Sequence, residues 1–285
     1  MKYGRCLHAT GGSWEPDFTR RHAAFAPLAA LFGSPGPLSA DHWPSLMTLE
    51  TMLGYRGATN AAGIPLTLGT AVDGAAAAYE QRIGRNGEIA MRPGQWHDLF
   101  NVCMWALWPA TKAALNRRHC DALAVEAGSR RSPARDALTA FDEDGIVIAV
   151  ADPPLADLVR GFRWRELFVD RRARLADAFQ PFVIGHGLCE KLLAPFVGLT
   201  AKALLVPVDA DFARLPMTRR CALLDTVVAR FIGDSARFAS TTDLSPLPLL
   251  GLPNWWPGNE DPGFYDDANY FRGGRRRHAP MVAPA

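Results

Sequence analysis

Apolar and polar positions recur at helical spacing between His97 and His119. At ~100° per residue, His97, Asn101, Trp108, Lys112, Leu115 and His119 fall within about 60° of arc, so polar groups share an inward-facing stripe with large apolar ones. Pro109 interrupts the stripe, because its ring clashes one turn back and it has no N–H to donate. The chain either kinks there or begins a second helix with Pro109 in its first turn. Helical patterns also cover about Arg20 to Phe32, Trp43 to Leu53 behind Asp41 as N-cap, Arg163 to Ala178, and Thr218 to Ile232. Asp152 followed by Pro153 and Pro154 starts another.

Ile64 to Leu68 reads as an edge strand, since Pro65 cannot donate inside a sheet. Phe182-Val183-Ile184 is a short strand running through Gly185 into a helix from His186 to about Leu193. Ala203 to Val208 is a further strand. The runs Ala137–Phe141 and Ile146–Val150 flank Asp142-Glu143-Asp144-Gly145, which predicts an antiparallel hairpin with a solvated acidic turn. Together these elements predict an α+β fold: a predominantly helical single domain with a small, largely antiparallel sheet. Residues 1–40 read as an N-terminal extension and 41–245 as the core. Residues 246–272 read as an aromatic and proline-rich strap anchored on the core by Trp255 and Trp256, and 273–285 as a disordered Arg-rich tail.

Composition narrows the class. With 285 residues, 48% hydrophobic, the chain can bury a sizeable core, which excludes disorder, collagen and coiled coil. A net charge of +2 argues against a dedicated nucleic-acid binder. Only four of the 31 basic residues are lysine, so single arginines carry little weight. The five cysteines (Cys6, Cys103, Cys120, Cys189, Cys221) form no C-x-x-C pair, so neither a zinc ribbon nor a disulfide framework is expected, and a reducing compartment is. The start lacks the apolar run of a secretory signal, and Val102–Ala110 is far below the ~20 residues that cross a bilayer. A cytoplasmic protein with no membrane partner is expected. P-loop, G-x-G-x-x-G, G-x-S-x-G and H-E-x-x-H signatures are absent.

Two constellations carry chemistry. The first is His97, Asp98 and Asn101 with Lys112, Asn116 and His119. Buried polar groups need partners, so the stripe implies a network or a ligand. In the plainer reading Asp98 caps the helix and the others bond backbone turns. The second is Gly185-His186-x-x-x-Glu190, where a strand end aims His186 and Glu190 follows one turn later. His and Glu at this spacing suit one metal ion or an acid/base pair, with further ligands from elsewhere. In the plainer reading His186 orients a loop with Glu190 as its partner. Arg135, set just before the first hairpin strand, is a candidate clamp for phosphate or carboxylate, or a surface partner of Asp136. Glu260, Asp261, Asp266 and Asp267 lack the spacing of an EF-hand loop.

These motifs as a set resemble one bacterial family, the domain of unknown function numbered 3025. The resemblance rests on Trp96-His97-Asp98-Leu99-Phe100-Asn101, on Pro109 through Lys112 to Leu115-Asn116, and on Arg135-Asp136-Ala137-Leu138-Thr139 with Phe141-Asp142-Glu143. It continues in Gly185-His186 with Glu190-Lys191, Pro246-Leu247-Pro248, and Trp255-Trp256-Pro257 with Asn259-Glu260-Asp261-Pro262. It spans roughly residues 40–272 and implies a proteobacterial protein. It carries no activity, cofactor or catalytic residue.

Two functions follow as expectations. One is a metal-assisted or acid/base hydrolase of a small anionic substrate. Its catalytic set is His97, Asp98, Asn101, His119, Arg135, Asp136, His186 and Glu190. A divalent ion would sit on His97, His119, His186 and Glu190, and Lys112, Asn116 and Arg135 would meet the substrate. The other is a binding or scaffold protein whose polar residues form a buried structural network.

Overall fold

The structure, a computed structural model, describes residues 12–33, 36–70, 76–125, 131–274 and 282. Six strands and eleven α-helices are found among them: α1 (Phe18–Arg21), α2 (Ala26–Phe32), α3 (Leu46–Tyr55), β1 (Thr67–Thr70), α4 (Ala76–Asn86), β2 (Glu88–Met91), α5 (Trp96–Leu107), α6 (Pro109–Val125), α7 (Pro133–Asp144), β3 (Gly145–Val150), α8 (Pro153–Arg160), α9 (Arg172–Ala178), β4 (Phe179–Val183), α10 (His186–Lys191), β5 (Thr200–Pro207), α11 (Met217–Gly233) and β6 (Ser245–Pro248). The predicted α+β class holds, with helices enclosing two small sheets.

The main sheet has the order β4-β3-β5-β6. Its outer pairs, β3 with β4 and β5 with β6, are antiparallel, and its central pair, β3 with β5, is parallel. All six residues of β3 are buried, as a strand covered on both faces and flanked on both edges must be, which is why Gly145-Ile-Val-Ile-Ala-Val reads as an unbroken apolar run. The minor sheet pairs β1 with β2 in parallel, joined by the crossover that contains α4. The region around Ile64–Leu68 thus supplies a strand, displaced to Thr67–Thr70.

Three local expectations are corrected. Ala137–Phe141 is not a strand, and the acidic residues after it do not form a hairpin turn. Ser132 accepts a bond from the Arg135 amide, Pro133 takes the first turn, and Ala137, Leu138 and Phe141 form a buried helical face, so α7 runs without a loop into β3. Arg135 accordingly lies in a helix rather than before a strand. The helix expected behind Asp41 is capped by Ser45 instead and starts at Leu46. Arg163–Ala178 is broken into a π-helical turn over Glu166–Asp170 and α9. At Pro109 two helices meet: Trp108 leaves helical geometry (φ −125°, ψ 55°), and the Asp225 carboxylate caps the Ala110 and Thr111 amides in the first turn of α6.

The amino-terminal segment packs on α5. Trp14 stacks on Trp96 at 5.2 Å, and Phe18 and Phe25 pack on Phe100. Beyond β6 the chain is held by buried polar anchors. Asn259 donates to the carbonyls of Leu250 and Leu252, and Tyr270 donates to that of Leu199. Glu260, Asp261, Asp266 and Asp267 do not gather; Asp266 pairs with Arg165 and Asp261 caps the Gly263 amide. Most of the expected Arg-rich tail, and the first eleven residues with Cys6, lie outside the described residues. No described helix is long and apolar enough to cross a membrane.

Candidate functional site

The topology brings one end of the main sheet to a point. Because β4 runs antiparallel to β3 in the register Ile146↔Val183, the exit of β4 lies beside the entry of β3. The amides of Ile184 and Gly185 both donate to the Gly145 carbonyl, which docks the start of α10 on the last turn of α7. Glycine is required before His186, where a Cβ would meet backbone, and after it glycine leaves room for the Glu143 side chain. A Cβ on Gly185 would lie 2.3 Å from the Glu143 carbonyl oxygen, and one on Gly187 would lie 2.4 Å from Glu143 Oε2. Helix α5 packs across α10 and delivers His97 from the other side.

The result is a cluster of His97, Glu143 and His186, whose ligand-type atoms lie within 4.8 Å of one another. The two imidazoles meet edge to face with centroids 4.6 Å apart. A carboxylate faces each Nδ1, but only that of His97 is hydrogen-bonded to it; Nδ1 of His186 is buried without a hydrogen-bond partner. Glu190 Oε2 is 3.1 Å from Nδ1 of His97. An ionised carboxylate only accepts, so Nδ1 carries the proton and Nε2 is left for a ligand. Asp142 Oδ2 faces Nδ1 of His186 at 3.7 Å, while Nε2 of His186 turns to Glu143 Oε1 at 3.5 Å. Two imidazoles, one of them oriented by a carboxylate, plus one carboxylate are donors that borderline divalent ions take. Tetrahedral donors on bonds of about 2.0–2.2 Å stand roughly 3.3 Å apart, so binding needs the side chains to close by at most about 1.5 Å. Glu143 (41% exposed) and His97 (36%) form an open side, and His186 (7%) forms the floor.

Behind the floor lies a buried network. Lys112, 4% exposed, donates to Asp142 Oδ1 at 2.5 Å and to Asn101 Oδ1 at 3.0 Å, and its ammonium stands 5.5 Å from the Trp105 ring centroid. Asn101 donates to the Tyr79 hydroxyl. Asn116 donates to the carbonyl and the Oε2 of Glu80. Burial would raise the Asp142 carboxyl, but Lys112 and the neighbouring histidines hold it below its ordinary value. Burial pushes His186 down to about 3 and His119 down to about 4. The bond to Glu190 raises His97, and burial raises Glu143. Burial, reinforced by Asp142, lifts Glu80 to about 7.

Of the residues singled out from sequence, His97, His186 and Glu190 come together. Asn101 and Lys112 lie in the network behind them. His119 is not part of the three-ligand cluster; it faces the buried side with Asn116, and both line a small cavity with Asp142. Asp98 is fixed by Arg92 through the backbone amide and a two-point guanidinium contact, which holds its carboxyl low despite burial. Asp136 is exposed and pairs with Arg131, 3.0 Å away, while Arg135 is half-buried. Lys112 is buried and committed to protein partners, so it does not stand where a substrate would arrive from solvent; Asn116 is buried and bonded to Glu80, and also lines an open pocket of about 370 Å³ beside Cys120 and Asp121. Sequence reasoning missed Glu143 and Asp142, which follow directly on the buried face of α7, and Tyr79 and Glu80, which lie in an unassigned helix.

The fold and this cluster define a class: an α+β domain carrying a two-histidine, one-carboxylate group at the junction of a sheet end and three helices. The chain belongs to the family described as Protein of unknown function (DUF3025), which matches residues 69–275. That span holds the whole cluster and the carboxylates behind it. No curated protein and no solved structure matches the chain.

Proposed function

We propose that the protein is a metal-dependent hydrolase in which His97, Glu143 and His186 hold one divalent ion. The observation that carries this reading is the convergence of the three donors, with Glu190 hydrogen-bonded behind His97. Such an ion supplies a water acidic enough to act as hydroxide near neutral pH. The chain's own groups do the rest. Glu190 fixes the tautomer of His97, Lys112 fixes Asp142 against His186, and the open side admits water and substrate. Arg92 follows from Asp98, next to His97, and Lys191 is paired with Asp144, next to Glu143. These two partly exposed cations favour a small anionic substrate. The free thiols of Cys103, Cys189 and Cys221 are buried, which suits a reducing, cytoplasmic setting.

A structural-network reading is favoured by one observation: Lys112, Asn101, Tyr79 and Asp142 are joined by direct hydrogen bonds without any ligand. Metal content separates the two. Protein purified without a metal-affinity tag is analysed by plasma mass spectrometry, and Zn2+ and Mn2+ affinities are measured by chelator competition, for the wild type and for His97→Ala and His186→Ala. The expected result is about one ion per chain, lost in variants whose circular dichroism is unchanged. A wild type that binds neither ion more tightly than its folded variants overturns the metal reading.

A further inference from the structure

Between α4, α5, α6 and the end of α7 lies a small cavity of about 10 Å³. That volume admits one water molecule. Its walls carry an unusual density of polar groups: Tyr79 and Glu80 from α4, Lys112, Asn116 and His119 from α6, and Asp142 from α7. His119 is only 4% exposed, yet its Nδ1 meets no hydrogen-bonding group of the protein. A stranded buried ring nitrogen, donor or acceptor, costs about 1–3 kcal/mol, so such an atom in a native interior marks a partner other than protein.

The other wall groups are only partly engaged. Tyr79 accepts from Asn101 and still has its own proton to give. Glu80 receives Asn116 on Oε2, leaving the capacity of its other oxygen. Charges of both signs act on Glu80 at the cavity, Lys112 and Arg135 favouring its ionised form and Asp142 opposing it, so neither sign dominates there. What fits is a neutral molecule with both donors and acceptors, the size of water.

We propose that this cavity binds a single ordered water that joins His119 Nδ1 to the Tyr79, Glu80 and Asp142 groups, making His119 a positioning residue for Asp142 and His186. The water donates to His119 Nδ1 and to a carboxylate, and it accepts from the Tyr79 hydroxyl or from the Glu80 carboxyl. Three bonds of this kind are the usual complement of a buried water. Lys112 and the water then hold Asp142 from two directions, which sets the distance from its free oxygen to His186. The water site stands on the cavity and the stranded nitrogen alone; the positioning role rests on the metal reading above.

The test is a high-resolution crystal structure of the full chain, with and without Zn2+, beside His119→Phe and His119→Gln, together with Zn2+ affinities by chelator competition. A peak about 2.7–3.2 Å from His119 Nδ1 and from at least two other wall groups is expected, lost in the phenylalanine variant. Zn2+ affinity is expected to fall by up to about tenfold in His119→Phe and to be largely restored in His119→Gln, which keeps an acceptor in reach. A cavity without such a peak in a chain that binds Zn2+ overturns the proposal while the hydrolase reading stands. A water with unchanged Zn2+ affinity in the phenylalanine variant overturns the positioning role. A water in a wild type that binds no Zn2+ overturns both the hydrolase reading and that role, and leaves the water site in place.

Discussion

Lys112→Met isolates the most consequential contact in the interior. Lysine and methionine have similar unbranched stems, so packing on Trp105 is largely kept and the change removes charge and donors. The side chains of Lys112 and Asp142 are 4% and 16% exposed. At that depth, deleting one member of an ion pair costs about 3–5 kcal/mol, chiefly because the other charge is left buried and unpaired. Asn101 Oδ1 also loses its donor, which adds about 1 kcal/mol. We expect a loss of roughly 4–6 kcal/mol in urea unfolding at pH 7.5, followed by circular dichroism. With an m-value of about 3 kcal/mol per molar, the midpoint falls by more than ~1 M. The pH dependence has a defined sign. In the wild type the Asp142 carboxyl is held low, so its contribution is present above the ordinary carboxylate range and is lost as pH falls through its own, lower value. Without Lys112 the carboxyl rises and takes up a proton more readily, so the deficit of the variant shrinks as pH falls toward 4. Replacing both residues, in Lys112→Met with Asp142→Leu, removes the orphaned charge and costs well under the sum of the single changes. A single-variant loss below about 1 kcal/mol, or strict additivity in the cycle, refutes the argument.

Three further outcomes are expected. Glu80 is lifted from 4.5 to about 7, so the fold should lose stability as pH rises between those values, by up to about 3 kcal/mol; Glu80→Gln should flatten that slope in urea melts at pH 5 to 8, and an unchanged slope contradicts the assignment. Gly187→Ala places a methyl group 2.4 Å from Glu143 Oε2 and should weaken Zn2+ binding at least tenfold with the fold kept, as read by chelator competition. Asn259→Ala strands the carbonyls of Leu250 and Leu252 and frees Arg172, and should cost about 2–3 kcal/mol in thermal or urea unfolding; a loss under 0.5 kcal/mol would show that the carboxy-terminal segment is held by its aromatics alone.

What the sequence could show depended on how far each side chain lies from its partner along the chain. The stripe on α5 and α6 was legible because its members recur within a turn or two, and Gly185-His186 with Glu190 because a strand end and one helical turn set their spacing. The angular argument failed at His119 for a physical reason. The 60° arc treats residues 97–119 as one helix, but Trp108 leaves helical geometry and Pro109 starts a new axis, so angles on α6 do not carry over to α5. His97 therefore turns to α10 while His119 turns to α4.

Glu143 and Asp142 were hidden by a different effect. An acidic Asp-Glu-Asp-Gly stretch between two apolar runs has the composition of a hairpin turn, and only the capping of α7 by Ser132 reveals that the first run is helical. Even with α7 assigned correctly, its last turn gains meaning only when β4 is placed antiparallel to β3, since that register sets residues 183–187 against residues 142–145. Strand order is a non-local property, and no periodicity encodes it. The buried charges reinforce this view. Lys112 reads alone as a cation awaiting an anionic substrate, yet a lysine 4% exposed cannot stay charged without a counter-ion, and the one it has, Asp142, is thirty residues away along the chain. The partner that looked like a solvated turn and the cation that looked like a substrate clamp explain each other, and together they lie beneath His186 in the three-residue cluster.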